Sequence, residues 1–372
     1  MVYFDRILIC VTGFINQGLG FYFSLLVSHQ LYLEPLHLLL FKIVFNIGGI
    51  SGNILSYYLC CKNGYKKNIY LMYISAIIGW FFICTSESRI SHDMLTSLLI
   101  GRFATGISIG IGFCIMPVIL KHTLLKSSWE HLTLSLPCFM LTLLSSISFY
   151  LASSYAWQLT SVFYLLFSIF GLCVNFELLK YFDLDNVINY SFSQSSKQMT
   201  VVDSSKKPEL SERSKIALLL PFFQACLGPE FLINNAQFIC LNAGPDYILC
   251  HANINIILFM LTGTAVLFVH RIYGVWNLFL CSVLAAIVYY LIYAWNITHV
   301  GQVIILPLTT SNILITILCS VGSFGWGQLP YIMLMSGTVK QASYQHSLCV
   351  YFSSWWISNF ILASLCYNLT HV

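Results

Sequence analysis

Gln224, Gly228, Phe231 and Asn235 recur at i, i+4, i+7 and i+11, a spacing that sets two amides and an aromatic ring along one face of a helix. An amide both donates and accepts hydrogen bonds, so such a face suits an uncharged ligand that carries many hydroxyls. Asn234 adjoins it. In the same stretch Gly228-Pro229 interrupts the helix, because proline lacks a backbone donor and clashes with the preceding turn. Glu230 follows directly, and an ionised carboxylate within an apolar segment is costly unless it is paired or wetted. We therefore expect it to face a cavity or to be protonated. A second break lies at "GSFGWGQLPY": Gly325 and Gly327 permit bending, Pro330 ends regular hydrogen bonding, and Tyr331 offers an aromatic face with a hydroxyl. Enzyme chemistry finds no purchase. The chain has no HExxH motif, P-loop lysine or nucleophile elbow, and we expect no cofactor and no metal.

The elements that carry these residues must lie in lipid. Hydrophobic residues make up 58% of the chain and charged residues 8%, where soluble domains carry about 25% charged residues. A soluble surface cannot be built from so few charges. Apolar runs long enough to span a bilayer, about 20 residues each, fall near 7–28, 37–61, 68–86, 95–120, 131–154, 157–181, 215–241, 249–269, 275–294, 303–336 and 345–367. The expected fold is an all-α polytopic membrane protein with about eleven spans, and its first partner is the bilayer.

Lysine and arginine placement orients it. With a cytoplasmic N-terminus, only Lys42, Arg89 and Arg102 fall outside the cytoplasmic loops and span ends. The net charge of +4 thus follows topology and gives no reason to invoke nucleic acid. Residues 182–214 include "SFSQSSKQMTVVDSSKKPELSERS", a polar linker that divides the spans into a six-helix bundle over 1–181 and a second group of about five over 215–372. Of three Asn-x-Ser/Thr sequons, Asn296 falls in an external loop and is the expected glycosylation site. The 14 cysteines are scattered through apolar runs with no CxxC pair, as expected of small buried apolar residues.

The run "GRFATGISIGIGFCIMP" at 101–117 is too apolar for a phosphate loop and has no preceding strand. Gly106 and Gly110 have the small-xxx-small spacing that lets membrane helices approach closely. Together with "FNIGGISGNILSYYLCCKNGYKKN", which holds Gly48 and Gly52, "LPFFQACLGPEFLINNAQFICLNAG", and "VGSFGWGQLPY" followed by "WWISNF", it resembles the sugar porters of the major facilitator superfamily. Within that family the chain is similar to a divergent facilitative glucose transporter.

The resemblance implies a two-bundle fold and a hexose-like substrate moved by alternating access. It carries sugar contact to Gln224 directly; Glu230 stands where the family has an asparagine, Asn234 and Asn235 where it has paired tyrosines, and Tyr331 where it has a tryptophan, and these four are expected in the same site. It implies gating or packing roles for Gly48, Gly52, Arg102, Gly106, Gly110, Gly228, Pro229, Gly325, Gly327 and Pro330. Proton symporters of the family carry an aspartate in helix one, where this chain has Ile15 or Asn16, so facilitated diffusion is expected, with the plasma membrane as its site. Several family charges are replaced: His122 and Trp129 stand after helix four, and Ser336 or Gly337 after helix ten. Those losses, with a chain that stops where a twelfth span would begin, set the alternative expectation of a non-transporting relative that senses or regulates, or of a degenerate copy.

Overall fold

The computed structural model describes residues 2–21, 23, 34–86, 92–124, 156–181, 344–371 and isolated helical positions at 221, 277, 280, 284, 287 and 291. All of the secondary structure in them is helical. We number the helices α1 (Val2–Phe21), α2 (Pro35–Asn63), α3 (Tyr65–Cys84), α4 (His92–Leu124), α5 (Trp157–Tyr181) and α6 (Tyr344–His371). Five of them carry stretches long and apolar enough to cross a membrane: Leu36–Cys60, Tyr65–Cys84, Asp93–Leu120, Trp157–Lys180 and His346–Leu365. In α1 the described apolar stretch, Leu8–Gln17, is shorter.

The expected spans near 37–61, 68–86, 95–120, 157–181 and 345–367 each coincide with one of α2 to α6, and the first expected span overlaps α1, which begins earlier, at Val2. Pro35 opens α2, where its missing N–H is no loss. Gly64 separates α2 from α3 with φ 82°, a left-handed conformation that a side chain would disfavour. Pro117 lies inside α4, which runs on to Leu124. The runs expected near 131–154, 215–241, 249–269, 275–294 and 303–336 lie outside the described residues or touch them only at isolated positions. Among those positions Leu280, Leu284, Ile287 and Leu291 repeat at helical spacing and are exposed, as a face turned to lipid would be.

Burial ranks the helices. The apolar window of α4 is 83% buried and that of α5 only 28%, so α4 is central and α5 peripheral. The outer face of α5 shows Leu159, Phe163, Leu166 and Phe170. A core of Phe23, Phe41, Trp80, Ile83, Leu98, Trp157 and Tyr164 joins α1 to α5, with Trp80 and Tyr164 rings edge-on at 4.8 Å.

The α2–α4 contact is the tightest part of this assembly. A methyl group built on Gly48 would meet the Phe103 carbonyl oxygen, and one on Gly106 the Phe45 carbonyl oxygen, with each glycine's Cα only 3.1 Å from the other's built methyl. Gly52 and Gly110 extend the seam toward Ile107 and Gly49 in the same way. Backbone thus lies directly on backbone for two turns. Gly79 and Gly101 form a second such contact between α3 and α4.

Candidate functional site

Polar groups in a membrane bundle must find partners inside it, and four helices here share one ladder. Asn16 on α1 donates from Nδ2 to Ser108 Oγ on α4 at 3.0 Å and accepts from Ser168 Oγ on α5 at 2.9 Å. Ser108 in turn donates to the Met72 carbonyl on α3 at 2.7 Å. One helical turn away along α1, Asn175 Nδ2 on α5 contacts Thr12 Oγ1 at 2.9 Å and Tyr73 OH on α3 at 3.1 Å. Asn16, Ser108, Ser168, Thr12 and Asn175 are all buried. The ladder ties α1 to α3, α4 and α5 through neutral groups alone.

Arg102 is fully buried on α4. Its Nη1 donates to the Gly20 carbonyl at the end of α1 at 2.9 Å, while Nε and Nη2 have no hydrogen-bond acceptor among the described residues. Three rings surround the guanidinium instead. Its Cζ stands 3.8 Å from the Phe45 centroid, 5.0 Å from Phe41 and 6.0 Å from Phe23. Each ring face attracts a desolvated cation by as much as about 2 kcal/mol, which offsets the lack of a counter-charge among the described residues.

Gln17, one residue past Asn16, is also fully buried, and neither its Oε1 nor its Nε2 has a hydrogen-bond partner among the described residues. It lies against Gly112 of α4, where any side chain would overlap it. Buried unpaired amides are rare because each costs about 1–3 kcal/mol, so this one is a candidate for a ligand's hydroxyl. Sequence reasoning missed Gln17, since only its missing partner distinguishes it from any polar residue in a span.

A third polar centre lies where α6 meets α2 and α4. In the amide orientation that satisfies both atoms, Asn53 donates to the Gly110 carbonyl at 2.6 Å and accepts from the Ser353 N–H at 3.2 Å. Aromatic packing surrounds it. Phe113 stacks on Phe352 with centroids 4.9 Å apart and planes at 15°, and Trp356 stands edge-on to Phe45 at 5.3 Å. The Trp356 indole covers Gly49, whose hydrogen leaves the room it needs.

Of the residues expected from sequence, the structure places Gly48, Gly52, Gly106 and Gly110 together in the α2–α4 seam and Arg102 in its ring cage one turn further along α4. Gln224, Gly228, Pro229, Glu230, Asn234, Asn235, Asn296, Gly325, Gly327, Pro330 and Tyr331 lie outside the described residues. Among the described residues no group of three or more His, Cys, Asp or Glu is arranged to hold a metal.

This arrangement of helices has solved counterparts. The proton:xylose symporter XylE bound to 6-bromo-6-deoxy-D-glucose superposes with a TM-score of 0.73 at 13% identity, over 97% of this chain and 87% of that one. The xylose transporter XylE from E. coli in a partially occluded inward-open conformation gives the same TM-score and identity, over 100% and 92%. A POT family transporter in complex with a thioalcohol-conjugated peptide follows at 0.69 and 12%, over 98% and 90%. The fold is therefore that of the major facilitator superfamily. Residues 8–123 match the family model of the sugar (and other) transporters. No curated protein matches the chain by sequence. The family match thus covers residues 8–123, the likeness to solved structures covers the fold, and five described helices are long and apolar enough to cross a membrane.

Proposed function

We propose that this protein moves a hexose-like sugar across a membrane by facilitated diffusion, two helical bundles alternating access to one site between them. Sugar transport is supported by the family match over residues 8–123 and by the fold. Uniport is supported by one observation: the helix-one position falls on Ile15 or Asn16, neither of them a carboxylate, and both side-chain atoms of the Asn16 amide are engaged by serines of α4 and α5. A symporter needs a group there that gains and loses a proton, and an amide does neither.

The sugar would lie against the amide face of the seventh span, with Gln224, Asn234 and Asn235 meeting hydroxyls and Tyr331 offering its ring. Gln17 would contribute from the first bundle as an amide without a hydrogen-bond partner among the described residues. Glu230 would accept from hydroxyls at the cavity wall. The glycine seam fixes α2 on α4, so the first bundle moves as one body.

In proteoliposomes, hexose uptake should saturate. Gln224→Ala and Gln17→Ala should each raise KM several-fold, because each removes a hydrogen bond worth roughly 0.5–1.5 kcal/mol. Correctly folded protein that shows no saturable uptake of any hexose or polyol would sink the reading.

A further inference from the structure

Two cysteines from opposite sides of the polar linker meet beside Asn53. Cys114 on α4 points its Sγ at the Asn53 carbonyl oxygen from 3.8 Å, and Cys349 on α6 points at the same oxygen from 3.7 Å. Both sulfurs thus converge on one backbone carbonyl between α4 and α6. Both are reduced. Their register is held by neighbours: Phe113, next to Cys114, stacks on Phe352, three residues past Cys349. Cys114 is buried and Cys349 half-buried, so Cys349 is the thiol a small reagent reaches first.

Their place along the bundle matters. Cys114 lies in the last third of α4 and Cys349 in the first turns of α6, at the end where α2 passes into α3. That end carries Lys62, Lys66 and Lys67, with Lys66 Nζ donating to the Leu179 carbonyl at the close of α5 at 3.0 Å. The positive-inside rule assigns it to the cytoplasm, where thiols are kept reduced until an oxidant arrives.

We propose that Cys114 and Cys349 are a modification site: a dithiol that a peroxide closes into a disulfide, fastening α4 to α6 and arresting the carrier with its cytoplasmic end shut. The arrest rests on the alternating-access reading above; the disulfide does not. In the first step hydrogen peroxide oxidises the Cys349 thiol to a sulfenic acid and leaves as water. In the second the Cys114 sulfur attacks Cys349 Sγ, a second water departs, and the S–S bond forms. Two S–H bonds and one O–O bond are broken, and the two electrons from sulfur reduce the peroxide. A thiol reductant reverses the change.

The test uses the full chain in proteoliposomes treated with hydrogen peroxide, then alkylated and digested without reduction. Mass spectrometry should find a peptide pair joined through residues 114 and 349. Hexose uptake should be lost in parallel and restored by dithiothreitol. Cys349→Ser and Cys114→Ser should each abolish both effects while keeping basal uptake, whereas Cys60→Ser, which removes the nearby thiol that accepts from Asn68 Nδ2 at 3.0 Å, should leave both in place. Absence of the 114–349 link in folded protein overturns the proposal, and so does a complete link with uptake unchanged. Protein without any uptake before oxidation counts against the transport reading, and the peptide pair still decides whether the thiols close.

Discussion

Asn16 decides more at the residue scale than its size suggests. It gives a hydrogen to Ser108 and takes one from Ser168, so Asn16→Leu removes two buried hydrogen bonds, while Ser108 keeps the Met72 carbonyl and Ser168 the Tyr164 carbonyl. Each lost bond is worth roughly 0.5–1.5 kcal/mol, and the variant's thermal unfolding in detergent should shift down by a few degrees. An unshifted transition would show that the ladder is not what binds α1 to its neighbours. Arg102 was conspicuous in the sequence because a charge inside an apolar run is rare. Its cage was not: Phe41 and Phe45 read like any apolar residue of a span until α2 is laid against α4. The same limit hid Asn16, Thr12 and Asn175 as a ladder, since hydrogen bonds between residues 92, 152 or 163 positions apart leave no local signal.

At the scale of elements, the glycine seam between α2 and α4 sets the geometry of the first bundle. Gly106→Leu places a branched side chain against the Phe45 carbonyl and Gly48, where backbone cannot yield. Overpacking of this kind costs about 1–3 kcal/mol, and lower thermal stability and expression should follow. Ile54→Ala on the same helix α2, at a side chain 56% exposed, should change little. If the two variants unfold alike, the seam is not a tight contact. The expected spans met α2 to α6 within a few residues because long apolar runs are the strongest signal a membrane chain carries. Which face of each helix turns inward was far less legible. Helix α4 is apolar all round because it is surrounded, while α5 is equally apolar because it borders lipid, and composition does not separate the two cases. Small-residue spacing did: Gly106 and Gly110 marked one face of α4, and that face holds α2.

Across the whole molecule, the contact among the described helices that the proposed transport cycle would have to change is the one α6 makes with α2 and α4. It is built from rings stacked rather than threaded, Phe113 on Phe352 and Trp356 over Gly49, with Asn53 bridging Gly110 and Ser353. Such a surface can part and close again without unfolding either side. The neutral ladder behind it leaves α1 without a carboxylate at Asn16, which is why the account commits to a carrier that equilibrates its substrate and does not concentrate it. The measurement that bears on this most directly is the steady-state level of a labelled, non-metabolised hexose in proteoliposomes under an imposed inward proton gradient. The account predicts that the internal concentration rises to the external one and stays there, with or without the gradient and with or without a protonophore. Gradient-dependent accumulation above the external concentration, abolished by the protonophore, would contradict it.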